Sequence, residues 1–509
     1  MNISQTLQSK FKAYPNKKAV IFEEKVVTFK ELDRTVNQVS ELLRRSGVKK
    51  GDRVAIKLSK CLEAVYFHLA CTASGAITIT LNDGYKPAEE EYFVKDSGSS
   101  LFVTDSQNYL KSKEILHKIP GLKIITIDEK FPGIQYYPEE MEGIVSYPVP
   151  DYPTKEEDTA MICYTSGTTG KPKGAMITHG NLIENMEDLQ EVWRLSDQDI
   201  LLHTLPLFHA HGLMVSMQGG LYAGATIIMH KKFDPVQVWH SIEKKQCTIF
   251  MGVPTMYQRI LNAWKELSKK PDISSMRAFI SGSAPLSEDL FNQFRDIIGY
   301  TILERYGMTE ALIITSNPYE VESRKAKSVG YPLPRTAIRI IGQDGKDLTP
   351  GEVGEVCIKG GNVFDGYWQN PVKTEESFLD EWFKSGDLGY QDPNDNLRLY
   401  LVGRSKELII SGGYNVYPKE VENRLEKHTA VKETAVIGLP DPDFGEKVIA
   451  AVVLEDDTED TEECEDELQA FCRIELANYK SPKKIFFFDQ LPKNILGKVL
   501  KDEIKKMFS

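Results

Sequence analysis

Short runs rich in valine and isoleucine alternate with longer stretches of helical periodicity over the first half of the chain. Val26-Val27-Thr28 precedes an amphipathic stretch over 29–45, Val54-Ala55-Ile56 precedes one over 63–75, and Ser100-Leu101-Phe102-Val103 precedes a third. Alternation of this kind, from about Val26 to Ala225, predicts βα units around a largely parallel sheet. A second set follows with Thr248-Ile249-Phe250-Met251, Ala278-Phe279-Ile280 and Ile302-Leu303-Glu304, each just ahead of a loop marked by glycine or proline. Ligands in such sheets sit beyond the C-terminal ends of the strands, so these loops are the ones to search.

After Arg335 the pattern changes to short strands with frequent glycines, as in AIRIIGQDGKDLTPGEVGEVCIKG, which predicts a small β-rich subdomain over 335–403. It changes again near Gly403. KELII and TAVIGL read as strands, and 418–428 and 465–477 as helices, giving a compact α+β unit of ordinary domain size. The expected fold is therefore α/β. A large N-terminal domain of βα-built, parallel-type sheets spans 1–403 and includes the β-rich subdomain; a smaller α+β domain spans 404–509.

A length of 509 residues is too great for one core, and 41% hydrophobic with 27% charged residues is ordinary for a globular protein. No apolar run approaches the roughly 20 residues of a membrane helix, which argues against integral membrane association. The first residues, MNISQTLQSKFKAYPNKK, contain no signal-peptide core, so a cytoplasmic protein is expected. A formal charge of −12 argues against nucleic acid as a partner, because phosphate backbones demand a basic footprint. The seven cysteines are scattered and never spaced as CxxC, which suggests neither a disulfide framework nor a zinc site. Nothing in the pattern fixes the oligomeric state.

Within this frame YTSGTTGKPKG, residues 164–174, carries four hydroxyl side chains besides a tyrosine, three glycines and two lysines in one short loop after the strand-like run 160–164. Glycine lets backbone amides approach an anion, Ser and Thr add donors and Lys adds charge, so the loop suits a polyphosphate. It is not the GxxxxGK[ST] loop, which would require glycine where Thr165 stands and Ser or Thr where Pro172 stands. Four further clusters follow in order. ERYGMTE (304–310) groups an aromatic, a hydroxyl and a carboxylate; WFKSGDLG sets Asp387 between glycines; LVGRSKELIISGGYNVYPKEVE spans 401–422; and PKNILGKVLK spans 492–501.

The joint occurrence of these five clusters closely resembles the adenylate-forming superfamily of acyl-CoA synthetases, luciferases and peptide-synthetase adenylation domains, over essentially the whole chain. The resemblance implies that ATP, Mg²⁺ and coenzyme A are used, and that the C-terminal domain is a mobile lid turning about a hinge at Lys406. It implies that Thr165, Ser166, Gly167, Thr168, Thr169 and Lys173 hold the β- and γ-phosphates. Gly282, Ser283, Ala284 and Pro285 would line the adenine, with Glu304, Arg305, Tyr306 and Gly307 opposite. Thr309 would meet the α-phosphate, Glu310 the Mg²⁺, and Asp387 and Arg404 the ribose. Lys498 would bridge the substrate carboxylate and the α-phosphate, Gly412 and Gly413 would line a pantetheine tunnel, and His209 in LPLFHAHGL would gate the acyl pocket beside Met308.

Three arginines bear on the acid: Arg259 in GVPTMYQR, Arg277 ahead of SGSAPL, and Arg305 in ERYG. A guanidinium stays charged and binds carboxylate bidentately, so these suit a second carboxylate better than a fatty tail. Together with NVFDGYW, TSNPY and GGYNVYPKE they look most like malonyl-CoA synthetases, which makes malonate the expected small carboxylic acid. Leu312 and Ile314 add apolar bulk that a methyl-substituted malonate would fill. The alternatives are a medium-chain or aromatic monocarboxylate acyl-CoA synthetase, a stand-alone adenylation protein loading a carrier protein, and an inactive nucleotide-binding protein.

Overall fold

The computed structural model describes residues 2–145, 154–165, 172–411, 414–441, 445–456, 458–494 and 497–508. Helix Phe29–Arg45 starts at a capping box: the Glu31 amide donates to Thr28 Oγ1 and the Thr28 amide returns to the Glu31 carboxylate at 2.8 Å. Its buried residues Phe29, Leu32, Val36, Val39 and Leu43 recur every three or four positions and form one apolar stripe. Helix Leu62–Ser74 has no polar face, since every residue but Glu63 is buried, and a helix of that kind belongs inside the core. It stops at Gly75, whose φ of 70° is left-handed.

Three sheets, of 14, 8 and 5 strands, are formed by the described residues. In the eight-stranded sheet, Arg53–Lys57, Ile77–Thr80, Leu101–Thr104, Lys123–Thr126 and Thr159–Thr165 run parallel, and Lys173–Thr178 returns antiparallel to the last of them. The centre of the largest sheet is likewise parallel, through Thr226–Met229, Ile200–His203, Ile249–Gly252, Ala278–Ser281 and Leu303–Met308.

Two features depart from the pattern expected of the sequence. Lys25–Thr28 is not a βα strand of the parallel set but the outer arm of an antiparallel hairpin with Lys18–Phe22, at the sheet edge, where half-exposed alternation is tolerated. The glycine-rich strands after residue 335 form no separate layer. Leu312–Ser316, Ser328–Pro332, Arg398–Arg404, Trp382–Asp392, Gly354–Gly360 and Thr336–Ile341 continue the large sheet edge to edge in antiparallel order.

Beyond these, a five-stranded sheet combines Tyr414–Val416, Ile409–Ser411, Gly445–Leu454, Val431–Asp441 and Lys484–Phe487. Neighbouring residues of its long strands point to opposite faces. Val436 and Val448 join a core with helices Pro418–Leu425 and Glu462–Glu475, while Ile437 and Ile449 join another with Leu491 and Ile504 of helix Lys501–Lys506. No helix among the described residues is long and apolar enough to cross a membrane.

One ion pair lies wholly inside the larger unit. Lys57, at the end of strand Arg53–Lys57, meets Glu90 of helix Pro87–Ser97 and also donates to the Tyr85 carbonyl at 2.9 Å; the two side chains are 0% and 1% exposed. Breaking such a pair strands a charge in the core. Lys57→Met is expected to cost about 3–5 kcal/mol in urea unfolding, and Lys57→Met with Glu90→Leu to recover most of it.

Candidate active site

The parallel register brings Gly252 and Ser281, at the C-terminal ends of their strands, level with Glu304 near the start of the adjacent strand Leu303–Met308. The SGSAPL loop springs from Ser281, and its far end is tied down because the Leu286 amide donates to Glu304 Oε1 at 2.9 Å. Glu304 thus enters the site as the anchor of the Gly282, Ser283, Ala284 and Pro285 loop. Burial pushes its carboxyl up to about 8, against the opposing pull of the Leu286 amide and Lys419. Ser283 takes a left-handed φ of 71°, and its Oγ lies 3.2 Å from His211 Nδ1.

Side chains alternate along strand Leu303–Met308, so Arg305 leaves on the opposite side from Glu304. Its guanidinium lies directly on Gly282: a Cβ there would fall 2.3 Å from Nε and 2.4 Å from Cζ, so a side chain at that position would push the guanidinium aside. Arg305 is 4% exposed, and its Nε and Nη2 find no hydrogen-bond partner among the described residues. Burial pulls it down to about 10, with only Tyr257 opposing, so it remains charged at neutral pH. His209 Nε2 and His211 Nε2 are also buried without partners. Burial holds His209 neutral by pulling it to about 4; His211 is driven lower than its ordinary value by burial and by the Arg305 charge. His211 opens a π-helix, His211–Gln218, a turn type that recurs at functional sites.

On the other flank, Tyr306 donates to Asp387 Oδ2 at 2.6 Å, and Arg404 Nε approaches Asp387 Oδ1 at 3.3 Å. Asp387 and Arg404 are direct partners across the hairpin of Trp382–Asp392 and Arg398–Arg404. Burial raises the Asp387 carboxyl, and Arg404, Tyr306 and Lys498 oppose that rise. Gly307 closes a tight hairpin, where a Cβ would meet the Leu312 carbonyl at 2.1 Å. The half-buried Thr309 and the buried Glu310 occupy its turn, and Met308 packs against the main core. Leu312 and Ile314 are buried in that same core.

Glu310 Oε1 accepts from the Tyr367 hydroxyl at 3.0 Å and from Thr165 Oγ1 at 3.4 Å. Lys173, opposite Thr165 in register, holds its ammonium 5.4 Å above the Tyr367 ring. Tyr367 therefore sets the carboxylate and the lysine in fixed relation. It was missed as a site residue because its role depends on strand Gly366–Tyr367 pairing with Lys173–Thr178, a contact between distant segments. Ser166, Gly167, Thr168, Thr169, Gly412 and Gly413 lie outside the described residues.

The smaller unit lies over this site. Lys498 shares the fields of Arg404, Glu407 and Asp387; burial lowers its ammonium from the ordinary lysine range. Gly497 abuts Thr255 of helix Pro254–Glu266, where a Cβ would come within 2.8 Å. Arg259 lies one turn further on that helix and is exposed. Lys406 occupies the turn Ser405–Glu407 between the units, within the field of Lys173.

Arg277 does not belong to the acyl site. It precedes strand Ala278–Ser281 and so sits at the opposite end of the sheet. Its Nε and Nη2 pair with the Asp199 carboxylate at 2.6 and 2.7 Å, and Nη1 donates to the Trp193 carbonyl at 2.8 Å. A guanidinium with these commitments is structural.

No group of three or more His, Cys, Asp or Glu side chains able to hold a metal occurs among the described residues. The single carboxylate of Glu310 beside Thr165 nevertheless suits Mg²⁺, which binds through one or two carboxylates together with substrate phosphates.

The AMP-binding enzyme family matches residues 7–368, and the AMP-binding enzyme C-terminal domain matches 420–498. A feruloyl-CoA synthase of Amycolatopsis sp is 36% identical over 500 residues, covering 97% of this chain and 96% of its own. The mitochondrial malonate–CoA ligase of Mus musculus is 35% identical over 518 residues, covering 94% and 86%. ATP-bound MatB from Rhodopseudomonas palustris superimposes with a TM-score of 0.92 at 35% identity, covering 100% and 99%; its apo form gives 0.81. The chain belongs to the AMP-binding enzyme family and is an AMP-forming acid–thiol ligase of the adenylate-forming superfamily.

The Glu304 anchor has a measurable signature. Its carboxyl stays protonated in the folded state up to about pH 8, whereas an unfolded glutamate ionises near its ordinary 4.5. Between these values the folded state binds more protons, so this group's contribution to stability falls as pH rises. Glu304→Gln keeps an acceptor for Leu286 and removes the titration. Relative to wild type, the variant should gain on the order of 2–4 kcal/mol between pH 5 and pH 8.5 in denaturation. The comparison must be between the two proteins, because the buried histidines contribute the opposite slope.

Proposed function

We propose that this ligase activates a small dicarboxylic acid, malonate or methylmalonate, and delivers it to coenzyme A. The observation that carries the proposal is Arg305, a buried cation with two donor nitrogens unmatched in the described residues. An alkyl tail placed there would leave the charge uncompensated at a cost of several kcal/mol, whereas a second carboxylate supplies the missing partner. The unpartnered His209, His211 and Ser281 atoms near the strand ends add polar capacity of the same kind. The similarity to a malonate–CoA ligase over most of the chain supports this reading.

In the first step the free carboxylate attacks the α-phosphorus of ATP. A phosphorus–oxygen bond forms to the acid, the bond to pyrophosphate breaks, and an acyl-adenylate results. Lys498 stands over the site and offsets charge as the two anions approach, with Thr309 at the α-phosphate and Asp387 and Arg404 at the ribose. Thr165 and Lys173 flank the β- and γ-phosphates. Glu310, oriented by Tyr367, would hold Mg²⁺, whose contribution is to neutralise phosphate charge. In the second step the CoA thiol, losing its proton, attacks the adenylate carbonyl and AMP departs. The unit beyond Arg404 acts as a lid that turns at Lys406 between the steps.

A pyrophosphate-release assay with ATP, Mg²⁺ and CoA across malonate, methylmalonate, succinate, butyrate, octanoate, benzoate and ferulate tests the acid. Malonate or methylmalonate should dominate; turnover confined to monocarboxylates or ferulate would overturn the dicarboxylate assignment. Arg305→Met should lower kcat/KM for malonate by about 100-fold or more and leave butyrate far less affected. The same variant, relieved of an unpaired buried charge, should melt about 2 °C or more above the ligand-free wild type.

A further inference from the structure

Lys498 ends a turn closed on itself: the Asn494 amide donates to the Lys498 carbonyl at 2.9 Å, and the Lys498 amide to Asn494 Oδ1 at 3.0 Å. Three residues on, Lys501 opens helix Lys501–Lys506 with its side chain only 16% exposed. Its ammonium lies 3.1 Å from Glu407 Oε2 and 2.7 Å from Glu422 Oε1. Glu422 in turn accepts from the Val436 amide at 2.9 Å, which fastens the pair to the sheet of the smaller unit. Glu407 stands in the turn directly after Arg404, at the junction of the two units.

Glu407 is therefore shared. Burial works against its charge, and Lys501, Lys498 and Arg404 together overcome that and hold the carboxyl below its ordinary value. Lys501 makes a direct contact with it, whereas Lys498 forms no ion pair among the described residues. Besides Lys501, the cations whose charge acts on Glu407 are Lys498 and Arg404, the two groups that the proposed reaction uses elsewhere. A partly desolvated carboxylate attracts a neighbouring ammonium strongly, and Lys498 has a long flexible stem with which to respond.

We propose that Lys501 is a positioning residue for Lys498: by neutralising Glu407 it keeps the Lys498 ammonium available to the substrate carboxylate and the α-phosphate. The inference rests on the role given to Lys498 above, and the test separates the two. Full-length Lys498→Ala, Lys501→Met and Lys501→Met/Glu407→Gln are compared with wild type in two assays, using whichever acid the panel shows to be turned over. One is acid-dependent ATP–pyrophosphate exchange; the other is thioester formation from the supplied acyl-adenylate.

Lys501→Met should slow exchange by about 10- to 100-fold while largely sparing thioester formation, and removing the Glu407 charge in the double variant should restore most of the exchange. Exchange at the wild-type rate in Lys501→Met, with Lys498→Ala inactive, would overturn the inference alone. So would loss in Lys501→Met that the Glu407→Gln change does not rescue, since that is the behaviour of a merely structural contact. Undiminished exchange in Lys498→Ala would overturn the reading of Lys498 itself, and this inference with it.

Discussion

Arg305 is kept out of water with no counter-charge among the described residues, and the surrounding architecture is what makes that sustainable. A buried cation persists only if the fold is fixed strongly enough elsewhere to outweigh it. Here the fixing comes from the register of three parallel strands, which sets Gly252, Ser281 and Glu304 level, and from Gly282, which leaves room for the guanidinium. Glu304 carries the complementary strain on the other side of the strand, a carboxyl held largely neutral while it anchors the SGSAPL loop. Adjacent residues of one strand thus concentrate positive charge on the Gly282 side and suppress negative charge on the other.

The second organising feature is that charges contributed by separate segments compensate one another only when those segments meet. Asp387, Tyr306 and Arg404 satisfy each other across a hairpin, and Glu310, Thr165 and Tyr367 do so across two sheets. The lid adds Lys498 to the first group, and its own Lys501 and Glu407 are matched at the junction. Each cluster is close to balanced, except at Arg305.

Much of this was legible in the chain because periodicity and local motifs report local structure. The parallel strands at Thr248-Ile249-Phe250-Met251 and Ala278-Phe279-Ile280, and the helices beginning near Phe29 and Pro418, announce themselves through apolar spacing. What periodicity does not encode is which strand lies beside which. The glycine-rich strands after residue 335 therefore read only as a small β-rich subdomain, and their place at the edge of the large sheet came from the structure. Arg277 shows the same limit at the site. Two arginines near the same strands look alike in sequence, yet Arg305 lies within its strand and faces Gly282, while Arg277 precedes its strand and is claimed by Asp199. Tyr367 could be found only by knowing that its short strand pairs with Lys173–Thr178.

The pairing of Gly366–Tyr367 with Lys173–Thr178 also has a meaning for the biosynthesis of the protein. The segment that carries Thr165 and Lys173 is made early, but the tyrosine that orients Glu310 comes about two hundred residues later, and Asp387 and Arg404 later still. A chain growing from its N-terminus holds the parallel strands of the two larger sheets well before the cluster of Tyr306, Asp387 and Arg404 is complete. A ligand can lend binding energy only to a folded site, so none can stabilise the nascent chain at this place before these distant segments have met. The early sheets must stand on their own cores, and a pair such as Lys57 with Glu90 belongs to a stretch that is settled before any ligand can help.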